Sequence, residues 1–209
     1  MIYEDIEQGT EAWLEIRRGK VTASKMKDVM AKGRGKEPSK TRQKYMTQLL
    51  VERLTGQSED FYVNAAMEWG TEHEPQARLV YEFLHDVEVK QIAFADHPTV
   101  EMFGASPDGL IGDDGGLEIK CPLSSTHIEW MLADEVPVEH VKQMMTCMAV
   151  TGRKWWDFMS YDPRMPQHLQ TFVKRLDRDE QMVVKIEDAT QKFNAELSER
   201  IEQLNQLAF

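Results

Sequence analysis

The sequence predicts an α/β fold, a single domain in which a central mixed β-sheet is flanked by helices. Three observations carry that reading. Apolar residues recur with helical spacing over most of residues 10–84 and again over 124–150, segments alternating with period two lie between and after those runs, and one last helical run closes the chain. No repeat, low-complexity tract or composition shift marks a linker, so all 209 residues are assigned to one domain, long enough to bury a sizeable core. It divides into a helical, basic part over about 1–60, a core over about 61–176 and a long helix over about 177–209.

Residues 10–18 read as a short helix capped at Thr10, with Trp13 and Ile16 as apolar contacts and Gly19 as its stop. Thr22 then makes an N-cap for a second helix, from Ala23 to about Met30, with Met26, Val29 and Met30 facing inward. A helix start gathers unpaired N–H groups and positive dipole, so an anion held there would meet Thr22, Ser24 and the nearby Arg17. The alternative for Ser24 is a plain surface serine. Residues 31–40 form a basic loop with Arg34 between two glycines, and Tyr45, Met46, Leu49, Leu50 and Leu54 give 41–54 a helical face that Gly56 closes. A further helical stretch runs from around Asn64 to Leu84, where Gly70 and Pro75 require either a second start or a kink beside Glu74.

Strands at 87–95 and 100–105 lead into a hairpin over 106–122. Residues 124–135 are helical. Pro137 opens a clearer helix to Val150, stopped by Gly152, with Val141, Met144, Met145 and Met148 inward and His140, Gln143 and Cys147 along a more polar edge. Strands at 155–161 and 169–176 flank the Asp162-Pro163-Arg164 turn. From Arg178 to Leu207 an amphipathic helix carries Ile186, Phe193, Leu197, Ile201 and Leu204 on one side, for packing on its own domain or on another subunit.

The hairpin is where chemistry is expected. Asp113-Asp114-Gly115-Gly116 supplies turn residues, and from Leu117 to Cys121 the alternation sends Glu118 and Lys120 to one face and Leu117, Ile119 and Cys121 to the other. Folding back sets Asp108 roughly opposite Ile119, its carboxylate within reach of that of Glu118. Two carboxylates and an ammonium then share one pocket, a costly arrangement unless a cation relieves it. Hard oxygen ligands, here Asp108, Glu118 and the carbonyl of Ile119, suit Mg2+ or Mn2+ rather than zinc. The plain alternative is a solvated polar hairpin.

Composition is that of an ordinary soluble protein. No N-terminal run resembles a signal peptide and no apolar run approaches membrane-helix length, so a cytoplasmic location is expected. Cys121 and Cys147 follow no metal-ligand spacing and are expected to be reduced, packed thiols. The net charge of -11 argues against a nucleic-acid partner, but residues 17–44 hold eleven of the 25 Lys and Arg against Asp28 and Glu37 alone. Such a +9 segment in an acidic chain is what a phosphate-binding surface looks like.

Five stretches in the same order resemble the phage lambda exonuclease and YqaJ-type recombinase nucleases, a branch of the PD-(D/E)xK superfamily. They are Ile16-Arg17-Arg18-Gly19-Lys20-Val21-Thr22-Ala23-Ser24, Met67-Glu68-Trp69-Gly70 leading to Glu74, Ser106-Pro107-Asp108-Gly109-Leu110, Leu117-Glu118-Ile119-Lys120-Cys121-Pro122 and Tyr161-Asp162-Pro163-Arg164-Met165. The resemblance implies a Mg2+-dependent 5′→3′ exonuclease of duplex DNA that releases 5′-mononucleotides and leaves 3′ overhangs for recombination. Asp108, Glu118 and the Ile119 carbonyl are then the metal ligands, Lys120 positions or deprotonates the attacking water, and Glu74 and Gln143 complete the site. Arg17 and Ser24, with Thr22, fall on a pocket for a 5′-terminal phosphate, Arg34 on an arm that reaches DNA, and Met67 on an apolar wedge at the duplex end. A homotrimeric ring and a single-strand annealing partner are implied as well. One place departs from the pattern: a second glutamine is expected two residues after Gln143, and Met145 stands there. The other readings are an endonuclease of restriction or repair type and a non-catalytic module that binds DNA ends.

Overall fold

The strand-forming segments separate into two mixed sheets rather than one central sheet. The computed structural model describes residues 1–33, 39–58 and 65–207, so Arg34 and the start of the helical stretch near Asn64 lie outside it. The smaller sheet takes β1 (Ile2–Tyr3), β2 (Val21–Thr22), β4 (Phe94–Asp96) and β5 (Phe103–Ala105), in the order β1-β4-β5-β2. The larger takes β3 (Val89–Lys90), β6 (Gly109–Ile111), β7 (Gly115–Lys120), β8 (Trp155–Tyr161) and β9 (Thr171–Asp177), in the order β3-β6-β7-β8-β9. In each, one pair is parallel, β2 with β5 and β7 with β8, and the rest are antiparallel.

The division follows from what satisfies the backbone. The strand expected over 87–95 breaks because the carbonyls of Ile92 and Ala93 are taken by side chains, Gln8 Nε2 at 2.9 Å and Trp13 Nε1 at 3.0 Å. The chain thereby crosses from β3 in one sheet to β4 in the other. It crosses back between β5 and β6, through Ser106, Pro107 and Asp108. The strand expected over 100–105 is shortened by Met102, whose φ of 52° turns the chain just ahead of β5.

Among the described residues seven α-helices surround the sheets. α1 (Glu11–Arg17) is capped as expected, the Thr10 hydroxyl accepting from the Trp13 N–H at 3.3 Å. The expected helix over 23–30 is a single 3-10 turn, Ala23–Lys25, followed by the short α2 (Met26–Val29). Thr22 is not its side-chain cap, because Thr22 already belongs to β2. α3 (Lys40–Thr55) ends at Gly56 in the left-handed conformation. α4 (Ala65–His85) runs through both Gly70 and Pro75 as one element. α5 (Ser124–Ala133), α6 (Val138–Thr151) and α7 (Glu180–Asn205) lie close to their expected spans.

Both faces of the larger sheet are covered. One packs Trp156, Phe158 and Leu110 with α2, α3, α6 and α7, whose Met26, Met46, Met148 and Phe193 are fully buried. The other sets Leu117, Ile119, Cys121, Met159 and Tyr161 under Ala77 and Tyr81 of α4. Gly115 and Gly116, expected in the hairpin turn, are the first residues of β7; a Cβ there would lie 2.1 Å and 2.3 Å from the rings of Trp155 and Trp156. Cys121 and Cys147 are free, buried thiols. Among the described residues no helix is long and apolar enough to cross a membrane.

Candidate active site

β7 sends alternate side chains to opposite faces, which places Glu118 and Lys120 together on the side facing α6. The register Gly109 with Leu117 carries Asp108 opposite Glu118, one residue from the expected pairing with Ile119. Asp108 still reaches Ile119, its Oδ2 accepting the Ile119 N–H at 2.7 Å. Lys120 Nζ donates to the Ile119 carbonyl at 2.9 Å, lies 3.8 Å from Asp108 Oδ2 and forms a short ion pair with Glu118 Oε1. From α6, Gln143 Nε2 donates to that same Oε1 at 2.6 Å. From α4, Glu74 faces Asp108 and Lys120 and is held by Arg78 at 2.6 Å.

The charges in this cluster are strongly coupled to their burial. Desolvation lifts the Glu118 carboxyl to about 7 against the pull of Lys120, and Asp108 adds to the rise. Glu74 is lifted to about 7 for the same first reason, then by Asp108, with Arg78 and Lys120 opposing. Burial alone would lower Lys120, but Glu118, Asp108 and Glu74 outweigh it and raise its ammonium above the usual range. His140, along the edge with Gln143, is lowered to about 4 by desolvation and by Lys120, and its ring stacks on Phe158 at 5.3 Å. Cys147, on that edge by sequence spacing, is buried in the core.

Among the described residues no three His, Cys, Asp or Glu side chains are grouped as a ready metal site, because Lys120 stands between the carboxylates. The donor set nevertheless fits a hard cation. Glu118 is completely buried, and its Oε2 has no hydrogen-bond partner among the described residues. An orphaned carboxylate oxygen beside Asp108 and the Ile119 carbonyl is a costly feature that a divalent ion would relieve.

Arg17, Thr22, Ser24 and Met67 line one cavity of about 250 Å3, together with Arg18 and Lys20. Their convergence owes nothing to the helix start invoked from sequence, since the helical turns after Thr22 are too short to carry a dipole of that kind. It comes from α1 and β2 meeting α3. The Thr22 N–H is spent on the Tyr45 hydroxyl at 3.2 Å. Burial lowers Arg17 to about 10, which leaves it a cation at neutral pH. Ser24 is exposed, and Met67 is 49% exposed at the rim. Glu52 also lines this cavity, its oxygens occupied by the Gly19 N–H at 2.8 Å and Gln48 at 2.9 Å.

Two residues were not assigned from the sequence, Ser106, which joins these regions, and Arg78, which holds Glu74. The Ser106 hydroxyl accepts from Arg17 at 2.7 Å and from the Trp13 indole at 3.0 Å, and Arg17 stacks on the Trp13 ring at 4.0 Å. Arg78 is the partner of Glu74 at i+4, a spacing visible in the sequence. Ser106 precedes Asp108 by two residues, so its signal lay in the Ser106-Pro107-Asp108-Gly109-Leu110 stretch itself.

The model of the YqaJ-like viral recombinase domain matches residues 12–154. No curated protein sequence matches the chain. Among solved structures, an alkaline exonuclease from Laribacter hongkongensis is 47% identical with a TM-score of 0.89, over 95% of this chain and 98% of that one. The same enzyme in complex with dAMP matches equally. A phage-related exonuclease from Haemophilus somnus 129PT shares the fold at 15% identity and a TM-score of 0.64, over 87% of this chain and 96% of that one. With a match over more than half its length and a near relative along almost all of it, the chain belongs to the YqaJ-like viral recombinase family of nucleases.

Proposed function

We propose that the chain is a metal-dependent 5′→3′ exonuclease of duplex DNA that takes 5′-phosphorylated ends, releases 5′-mononucleotides and leaves 3′ single strands for recombination. One observation carries the reading. Arg17 of the cationic cavity is hydrogen-bonded to Ser106, two residues ahead of Asp108, so an anion pocket and a carboxylate–lysine cluster share one piece of chain. The dAMP found with the Laribacter enzyme agrees with a mononucleotide product.

Asp108, Glu118 and the Ile119 carbonyl would hold Mg2+, with Mn2+ as a substitute, and Glu74 adds a carboxylate beside them. When bound, the ion supplies Lewis acidity and offsets negative charge at the phosphodiester. Lys120, kept as an ammonium by its carboxylate neighbours, orients the attacking water and balances charge on the phosphoryl oxygens rather than acting first as a base. Gln143 fixes Oε1 of Glu118 and so leaves Oε2 as the donor atom to spare. Arg17, Thr22 and Ser24 take the terminal phosphate, whose charge-assisted hydrogen bonds a 5′-hydroxyl cannot form. Met67, apolar and half exposed at the rim, presses on the terminal base pair, and Arg34 reaches the duplex.

In this scheme residues to about 60 serve the DNA end, those from about 61 to 176 the chemistry, and the last helix the scaffold. Three subunits close into a ring around DNA in the cytoplasm, with a single-strand annealing protein as recombination partner. Support for the ring is the basic 17–44 segment within an otherwise acidic chain, which draws DNA to one surface and repels it elsewhere. The test is linear duplex carrying one 5′-phosphate, incubated with and without Mg2+ and read by strand. Only the phosphorylated strand should shorten, from its 5′ end and only with the metal; loss from 3′ ends, or digestion in chelator, refutes the proposal.

A further inference from the structure

Arg164 has no part in the scheme above, yet it joins three elements of the site. Buried Asp162 accepts from the Arg164 backbone N–H at 3.0 Å, from its Nε at 2.7 Å and from a terminal nitrogen at 3.0 Å. That terminal nitrogen also donates to the Pro122 carbonyl at 3.0 Å, two residues beyond Lys120. The guanidinium carbon then lies 4.3 Å from the centre of the Trp69 ring on α4, and Trp69 is stacked with His73 at 3.7 Å. The arginine is thus fixed to β8 and to the end of β7 and offers its face to α4.

The two halves of α4 are held very differently. Ala77, Arg78 and Tyr81 are buried in the second half, whereas no residue from 65 to 76 is. Pro75 between them lacks the N–H that would bond back to Thr71, which weakens the joint. In the first half Trp69 is the large side chain packed against the cluster under the sheet. That half carries Met67, at the rim of the cationic cavity, and Glu74, beside Asp108.

We infer that Arg164 is a positioning residue for the reaction: through the Trp69 stack it fixes the first half of α4 against the strand that bears Glu118 and Lys120. The inference rests on the exonuclease reading; Met67, carried on the same half of α4, is the side chain that the strut would hold at the terminal pair. Its consequence is selective. An enzyme without the strut should handle ends that are already open better than ends it must open itself.

The experiment compares turnover on 5′-phosphorylated blunt duplex with turnover on the same duplex carrying a few unpaired 5′ nucleotides, alongside thermal melting. Arg164→Gln is expected to slow blunt ends about fivefold, the equivalent of one solvent-exposed cation–π contact, while forked ends stay within about 1.5-fold of wild type. Should that variant not fold, Trp69→Leu leaves the Asp162 and Pro122 contacts intact and must show the same split. Equal slowing on both ends, or no slowing, overturns the inference. Met67→Ala separates the two layers. If it shows the split and the Arg164 variant does not, the strut falls and the end-opening role stands; if only the Arg164 variant shows it, the strut stands and the role given to Met67 falls. A wild-type enzyme that digests neither end with Mg2+ brings down the function itself, and the strut with it.

Discussion

Arg17 is the residue whose replacement tests the direction of digestion most directly. Its guanidinium is pre-placed, with one donor on Ser106 at 2.7 Å and a face on Trp13 at 4.0 Å, so little side-chain freedom remains to be lost when a phosphate arrives. A charge-assisted hydrogen bond contributes about 1.5–3 kcal/mol, which converts to about a 10- to 150-fold preference in kcat/KM for 5′-phosphate over 5′-hydroxyl ends. Arg17→Gln should bring that preference close to one while changing the 5′-hydroxyl rate by no more than about twofold, the remaining amide being neutral. Burial lowers Arg17 only to about 10, so the preference should hold steady from pH 7 to about 9. It should weaken below about pH 6, where a terminal phosphate takes up its second proton. The assay is initial-rate digestion of the two substrates by both enzymes across that range. If Arg17→Gln slows both ends by the same factor, Arg17 serves only to brace Trp13 and Ser106, and the reasoning fails.

The other predictions concern the buried cluster and the sheet beneath it. Lys120→Ala should abolish cleavage yet leave Mg2+-dependent DNA binding, and should cost about 3–5 kcal/mol above pH 7 in chelator by stripping a fully buried Glu118 of its cation; near-normal turnover rules out the assignment. Without divalent ions, Glu118 titrates near 7 in the folded chain against an ordinary 4.5, so the native state keeps a proton that the unfolded chain gives up. Its contribution is complete below about pH 4.5 and is lost as pH rises through 7, on the order of 3 kcal/mol, and urea unfolding in chelator should show this slope flattened by Glu118→Gln. A stability that climbs from pH 5 to 8 and is unchanged by that substitution contradicts it. Gly116→Ala would press a methyl within 2.4 Å of the Trp156 ring, which is fully buried, and should lower stability by about 3 kcal/mol or prevent folding; a melting temperature equal to wild type refutes the packing argument.

Local pattern made most of the helices legible, because caps and apolar stripes are properties of neighbouring residues. Thr10, Gly56 and Gly152 end or begin their helices as read. The sheet was less legible, since a strand's partner is not written in its own residues. Val89 and Phe94 look like one strand until Gln8 and Trp13, far away in sequence, take the carbonyls between them. The same two side chains, through the Pro107 carbonyl at 3.0 Å and the Ser106 hydroxyl, tie down the other crossing. Asp108 lies at the seam where the two sheets exchange strands, and that seam is long-range information. The face shared by Glu118 and Lys120 was legible from period two alone, whereas the contact of Gln143 with Glu118 needed α6 to be docked.

That docking also accounts for Met145, where the family pattern carries a second glutamine. Positions two apart on a helix point about 200° from each other, so a side chain at 145 cannot join Gln143 over Glu118 while α6 keeps this rotation. Met145 is instead 3% exposed, and its sulfur accepts the Asp179 N–H at 3.5 Å, at the start of α7. An amide there would bury a polar group, at a cost of about 1–3 kcal/mol for any part of it left unbonded, and would make no contact with the carboxylates. The substitution therefore removes nothing from the Glu118 environment. The amide that touches this site is the one at 143, and its neighbour two places on belongs to the interface that holds α7.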